Sequence, residues 1–275
     1  NFEISEVGYH GDIAFTDPRL LQSRISSTTT LYAERREALN QRFGTKGLGV
    51  SQVFNRRLLD NRLSLGAGFS LERRRQFPFE GASIPPQEEY LYDSRTFFVA
   101  TPSIIYNSTD SFVRPSRGFI TSLFVDFSRG RNESLDNFFR YRLESRYYYT
   151  PVTRLTFAFR GRYGFIDPYG SNFRVPGDQL FYLGGTSTVR GFEENLLRFG
   201  EDGKASGGLE SLLANAEARL DLGMNMELTT FYDTGAIRRP ERPGAIDGFR
   251  SSVGLGLRYI TPIGAVGLLY GWKID

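Results

Sequence analysis

The 275-residue sequence contains no cysteine, a single histidine, a single tryptophan and two methionines. Without cysteine it can build neither a disulfide framework nor a thiolate metal or redox centre. One histidine, His10, excludes a multi-histidine metal site as well, and it sits between Tyr9 and Gly11 with no recognisable nucleophile beside it. The sequence also lacks any run of about 18 apolar residues, the length that a membrane-spanning helix needs. Its mean hydropathy of −0.34 does not by itself describe a soluble chain, because only alternate residues of a membrane-spanning strand face lipid. An excess of one charge is missing too: 34 Lys and Arg are interspersed with 31 Asp and Glu, leaving a formal net charge of +3. That balance argues against a nucleic-acid surface. Asn1 to Gly8 carry no basic stretch followed by an apolar core, so any export signal has been removed or lies outside these residues.

What the chain has in quantity is glycine, at 30 residues, and aromatics, with 24 Phe and 15 Tyr. This is the profile of a β-rich protein. The dominant pattern has period two. Phe139, Tyr141, Leu143, Tyr147 and Tyr149 alternate with Arg140, Arg142, Glu144, Arg146 and Tyr148, and Leu63, Leu65, Ala67, Phe69 and Leu71 alternate with polar or glycine positions in the same way. Such alternation marks strands with two unlike faces. About twelve runs of this kind lie near residues 7–17, 24–36, 46–57, 62–73, 95–107, 117–129, 139–150, 154–166, 208–222, 225–237, 250–260 and 264–274. Many exceed the roughly 5 or 6 residues usual in soluble strands and match the roughly 9 to 11 of a tilted strand that crosses a bilayer. Short turns at Thr150 to Thr153 and Thr261 to Gly264 contrast with long connections near 74–94 and 167–207. That asymmetry and the aromatics near strand ends, Tyr147 to Tyr149, Tyr163, Phe165, Tyr270 and Trp272, suit a membrane barrel with aromatic girdles. A soluble β-sandwich or lipocalin-like barrel is the competing fold. The bulky arginines of the polar face fit a wet lumen better than a soluble core.

The long connection 167–207 carries Val189-Arg190-Gly191-Phe192, one cation beside a flexible glycine. In the following runs, parity puts Ser211, Leu213, Asn215, Glu217, Arg219 and Asp221 on one face, and Asn225, Glu227, Thr229, Phe231, Asp233 and Gly235 on one face of the next. If these two runs pair as a hairpin, Glu217 and Asp233 point inward within a few residues of one level. A loop folded inward could then set the planar fork of Arg190 between two carboxylates. Spacing alone leaves equal room for a solvated Arg190 above a merely polar channel.

The stretch Leu183-Gly184-Gly185-Thr186-Ser187-Thr188-Val189-Arg190-Gly191-Phe192 resembles the inward-loop signature of the outer-membrane assembly superfamily that includes BamA and TamA. Three further segments resemble that family's motifs: Asn107 to Gly118 (NSTDSFVRPSRG), Phe231-Tyr232-Asp233-Thr234-Gly235, and Gly254 to Gly264 (GLGLRYITPIG). The likeness is strong over about 95–275 and weak over 1–94. It implies an all-β, antiparallel transmembrane barrel, with about 12 strands present of a probable 16, 167–207 as an inward-folding loop, and both ends incomplete: POTRA modules expected upstream and a last strand downstream. It also implies that Val189, Arg190, Gly191, Phe192, Gly184 and Gly185 form the functional loop, with Glu217 and Asp233 as lumenal partners of Arg190.

The resemblance further implies a non-enzymatic assembly or insertion factor, BamA-like, in the outer membrane of a Gram-negative bacterium or an organelle of bacterial origin. Such a factor works by lateral opening on unfolded outer-membrane protein substrates and membrane lipids, aided by accessory assembly subunits; no cofactor, metal or nucleic acid is expected. TamA-like assembly, two-partner secretion and passive diffusion are the alternatives. The acidic pairs Glu88-Glu89 and Glu193-Glu194 read as loop charges, and no glycine pair sits in the strand-to-helix setting of a phosphate loop.

Overall fold

A computed structural model describes residues 1–5, 8–37, 39–78, 86–131, 135–170, 174–240, 248–262 and 264–274. Thirteen strands form one sheet whose spatial order is the order of the chain: β1 (Phe2–Ser5), β2 (Gly8–Asp17), β3 (Ile25–Glu37), β4 (Phe43–Leu58), β5 (Leu63–Pro78), β6 (Arg95–Asn107), β7 (Gly118–Gly130), β8 (Phe138–Val152), β9 (Leu155–Pro168), β10 (Gly208–Gly223), β11 (Met226–Pro240), β12 (Arg250–Thr261) and β13 (Gly264–Lys273). Each of the twelve alternating runs corresponds to one of β2 to β13. The thirteenth strand, β1, has four residues, too few for alternation to register against background. Strands β4 and β5 have 16 residues each, so β5 runs further into the expected 74–94 loop than the pattern indicates.

The chain divides into two compact units. The first comprises Asn1–Ile104, Phe124–Tyr141 and Phe165–Leu180, and the second Ile105–Leu123, Arg142–Gly164 and Phe181–Asp275. In the first, β1 to β5 form consecutive antiparallel ladders, with Ser27 opposite Phe54 and Phe54 opposite Ala67. In the second, β10 to β13 do the same. Residues directly opposite one another there make rows across four strands: Glu217, Phe231, Gly254 and Gly271 in one, and Asn215, Asp233, Ser252 and Lys273 two residues away.

The two faces of these ladders are inverted relative to a soluble protein. On β12, Ser252, Gly254 and Gly256 are buried, whereas Val253, Leu255, Leu257 and Tyr259 are exposed. On β11, Glu227, Thr229, Phe231 and Asp233 are buried while Leu228 and Tyr232 face outward. Rows of exposed Leu, Val and aromatic side chains on consecutive strands are costly in water and favourable against hydrocarbon. Tyr148 departs from the girdle expected of Tyr147 to Tyr149. It lies on the covered face, 8% exposed, with the Arg219 guanidinium 5.8 Å from its ring, because its even parity turns it away from its two neighbours. His10 is partly exposed, 3.3 Å from Asp12 and 3.7 Å from Glu34.

The uncovered face generates a direct expectation. Leu255→Arg, in the middle of β12, should destabilise the protein in lipid vesicles by about 2–4 kcal/mol in a urea titration. A change within about 0.5 kcal/mol, the usual result at an aqueous surface, would show that this face does not meet lipid.

Candidate functional site

Between β9 and β10 the chain runs through residues 169–207. Within the second unit its descending part is self-bonded. The Phe181 and Gly208 backbones exchange hydrogen bonds of 3.0 and 3.1 Å, the Leu197 N–H donates to the Leu183 carbonyl at 2.9 Å, and the Gly185 N–H donates to the Phe192 carbonyl at 3.0 Å. Gly184 and Gly185 occupy φ of 115° and 95°, a region that β-carbon sterics close to most side chains. The Thr188 hydroxyl ties this turn together, accepting from the Gly184 N–H and donating to its carbonyl, both at 2.8 Å. Leu183, Val189, Phe192 and Leu197 then pack with Leu213 of β10 and Ile237 of β11 in a buried cluster. Apolar burial on both sides of Arg190 therefore holds the tetrapeptide against the sheet.

Arg190 enters the face made by β10 and β11. Its Nε and Nη2 donate to the two oxygens of Asp233 at 2.7 Å each, its backbone N–H donates to Asp233 Oδ2 at 3.0 Å, and its Nη1 donates to Glu217 Oε1 at 2.6 Å. Asn215 Nδ2 adds a bond to Asp233 Oδ1 and another to the Thr188 carbonyl, both 2.8 Å. Asp233 is fully buried, and four donors satisfy its carboxylate. Glu217 is bound in turn by Arg219, with Nη2 at 2.7 Å, and has Arg258 at 3.6 Å, while Arg258 donates to Glu227 at 2.7 Å. Three guanidiniums thus answer three carboxylates on a face sheltered from water, where an unpaired charge would be expensive.

Val189, Arg190, Gly191, Phe192, Gly184 and Gly185 therefore lie in one folded segment, and the structure brings Arg190 to Glu217 and Asp233 together. More neighbours take part than the two carboxylates. Phe231 lies flat beneath the Arg190 guanidinium, 3.7 Å from ring centroid to Cζ, so a cation–π contact supports the fork from below. Asn215, Arg219 and Phe231 shared the inward parity of the two carboxylates, and that parity was the available signal. Phe192 is covered by Arg250 at 4.4 Å and Lys273 at 5.1 Å from its ring. These two cations come from β12 and β13, too far along the chain for spacing to connect them.

A second buried network lies in the first unit and carried no sequence signal. Arg95 of β6 donates to Asp136 at 2.8 Å and to Asp178 at 2.6 Å, and Asp178 also accepts from Gln76 of β5 at 2.5 Å. All four side chains are nearly or fully buried. Burial pushes the Asp136 carboxyl up to about 6, against the pull of Arg95. For Asp178 burial acts in the same direction, but Arg95 and Arg74 outweigh it and hold that carboxyl below the ordinary range. The segment Asn107 to Gly118 is built locally: Asp110 accepts from the Ser116 and Arg117 N–H groups at 2.9 and 3.2 Å, and Arg114 reaches Asp221 at 3.0 Å. Among the described residues no group of three or more His, Asp or Glu is placed to hold a metal ion.

A family model described as the Omp85 superfamily domain matches residues 1–275. The outer membrane protein assembly factor BamA of Nitratidesulfovibrio vulgaris is 27% identical over 221 residues, covering 77% of this chain and 27% of the relative. Among solved structures, BamA from Haemophilus ducreyi lacking POTRA domains 1–3 superposes with a TM-score of 0.79 at 18% identity, over 98% of this chain and 59% of that one. CdiB from Acinetobacter baumannii gives 0.58 at 14% identity, and CdiB from Escherichia coli 0.60 at 14%; 98% of this chain aligns in each case, with 47% and 49% of theirs. The chain thus spans about a quarter of the curated relative it matches and little more than half of the BamA structure. These likenesses give the sheet its architecture, an antiparallel outer-membrane β-barrel fold.

The geometry of the carboxylates sets a stability expectation. Asp233→Ala strands a largely buried guanidinium and the Asn215 amide, and should cost about 3–5 kcal/mol in urea unfolding from vesicles. A loss below about 1 kcal/mol, typical of an exposed ion pair, would mean that Arg190 is solvated rather than held.

Proposed function

We propose that this chain, which belongs to the Omp85 superfamily, is the membrane-embedded part of a BamA-like factor that assembles and inserts outer-membrane proteins. The observation that carries the reading is the Arg190 fork on Asp233 and Glu217, set in a loop whose sequence matches the family's signature. Nothing in that arrangement performs bond chemistry. A guanidinium saturated by two carboxylates and stacked on Phe231 is a fastening, and its effect is to hold the segment around Val189 to Phe192 in one conformation against β10 and β11.

In this reading the barrel sits in the Gram-negative outer membrane and perturbs the surrounding bilayer. It opens between its first and last strands and presents unpaired backbone groups to an unfolded substrate, whose strand is added by β-augmentation. The fastened loop keeps the neighbouring wall competent for that exchange. Unfolded outer-membrane proteins and lipids are the partners at the barrel, and accessory subunits would act through POTRA modules. The alternative is a translocator for one dedicated secreted protein; the fold likeness to the two CdiB chains is the observation on its side.

Arg190→Ala in the full-length protein should slow outer-membrane protein assembly and alter heat-modifiable migration while leaving the β-signature in circular dichroism. Unchanged assembly together with unchanged migration would refute the functional fastening.

A further inference from the structure

The Arg190 fork accounts for how the loop meets β10 and β11, but the tetrapeptide also meets the strand at the end of the sheet order. Gly191 lies directly on Gly271 of β13. A β-carbon built on Gly271 would stand 2.9 Å from the Gly191 nitrogen, 3.1 Å from the Arg190 carbonyl carbon and 3.1 Å from Gly191 Cα, and one built on Gly191 would stand 3.0 Å from the carbonyl carbon and oxygen of Gly271. The contact is backbone on backbone, with no flexible side-chain end to give way. Gly271 also belongs to the same row as the fastening: Glu217, Phe231, Gly254 and Gly271 are opposite one another on β10, β11, β12 and β13. In that row Gly254 leaves the space for the Phe231 ring, whose Cζ would be 2.2 Å from an added β-carbon. One row of the sheet therefore offers a carboxylate, a ring and two recesses, and the Arg190-Gly191 unit crosses it from end to end.

We infer that Gly271 is a positioning residue: its missing side chain is the seat that sets how deeply the loop lies on the sheet, and it joins β13 to β10 and β11 through the loop. The Arg190 fork has a fixed length, so two 2.7 Å bonds to Asp233 and one 2.6 Å bond to Glu217 are reached together only if the backbone behind the guanidinium sits at one height. Gly271 is the atom-level floor of that height on the β13 side. Lys273 and Arg250 lie against the Phe192 ring at 5.1 and 4.4 Å, beside this seat. A displaced β13 would push on the loop, and a lifted loop would release β13. The purpose of this coupling rests on the assembly reading above; the coupling itself does not.

The test uses the full-length protein in lipid vesicles, with spin labels on two introduced cysteines, Thr186→Cys on the loop and Leu228→Cys on the uncovered face of β11, on an otherwise cysteine-free background. Gly271→Ala should shift or broaden the loop-to-β11 distance distribution, and Gly271→Val should do so further. Tyr270→Ala, on the opposite face of β13, should leave it as in the parent. A Gly271→Val distribution that coincides with the parent would overturn the inference; if the valine variant does not fold, a Gly271→Ala distribution that coincides with the parent overturns it instead. Outer-membrane protein assembly is measured on the same variants. A shifted distance with normal assembly upholds the positioning role and counts against the assembly reading, whereas loss of assembly in step with the shift supports both.

Discussion

The positive charge of Arg190 has to be answered where it lies, and most of the site follows from that requirement. Its side chain is only 13% exposed, in a setting where a lone guanidinium would be costly. Asp233 supplies both oxygens to the fork, Glu217 takes the remaining nitrogen, and Phe231 supports the plane from below. Each carboxylate then requires its own neighbours, which brings in Asn215, Arg219 and Arg258. The glycine turn at 184–185 and the apolar cluster around Val189 fix the backbone on either side of Arg190. Geometry this tightly shared is intolerant of conservative change: lysine would keep the charge of Arg190 and lose the planar fork.

The sheet solves the complementary problem. On β11 and β12 polar and charged residues occupy the buried face, while leucine, valine and tyrosine occupy the uncovered one. Inverting the faces of a soluble strand makes the average hydropathy uninformative and the alternation decisive. It also creates a sheltered, charge-lined surface on which a long loop can be fixed by ion pairs, a device that a purely apolar core could not offer. The second network, with Arg95 between Asp136 and Asp178, applies the same principle within the first unit.

The period-two pattern was enough to read the strands of this chain because each residue reports its own face. Even the unlike behaviour of Tyr148 and its neighbours is a matter of parity. The four-residue β1 escaped because alternation over so short a stretch carries no statistical weight. For the site, parity put Asn215, Glu217, Phe231 and Asp233 on the covered side, and the loop signature supplied Arg190. Parity is silent on register. Which residue of β12 stands opposite Phe231, and which of β13 stands opposite that, depends on turn geometry and bulges, so the row ending at Gly254 and Gly271 emerges only from the ladders. The Arg95 network was hidden for a related reason: its members come from β5, β6 and two separate connections, and no local pattern links them.

The most direct measurement of the central claim is a double-mutant cycle between Arg190 and Asp233, using Arg190→Met and Asp233→Asn, with unfolding free energies in lipid vesicles as the readout. A loop fastened by this pair predicts a coupling energy of about 2–3 kcal/mol, the upper range for residues in one buried network. A coupling below about 0.5 kcal/mol, the additivity expected of independent sites, would contradict the account.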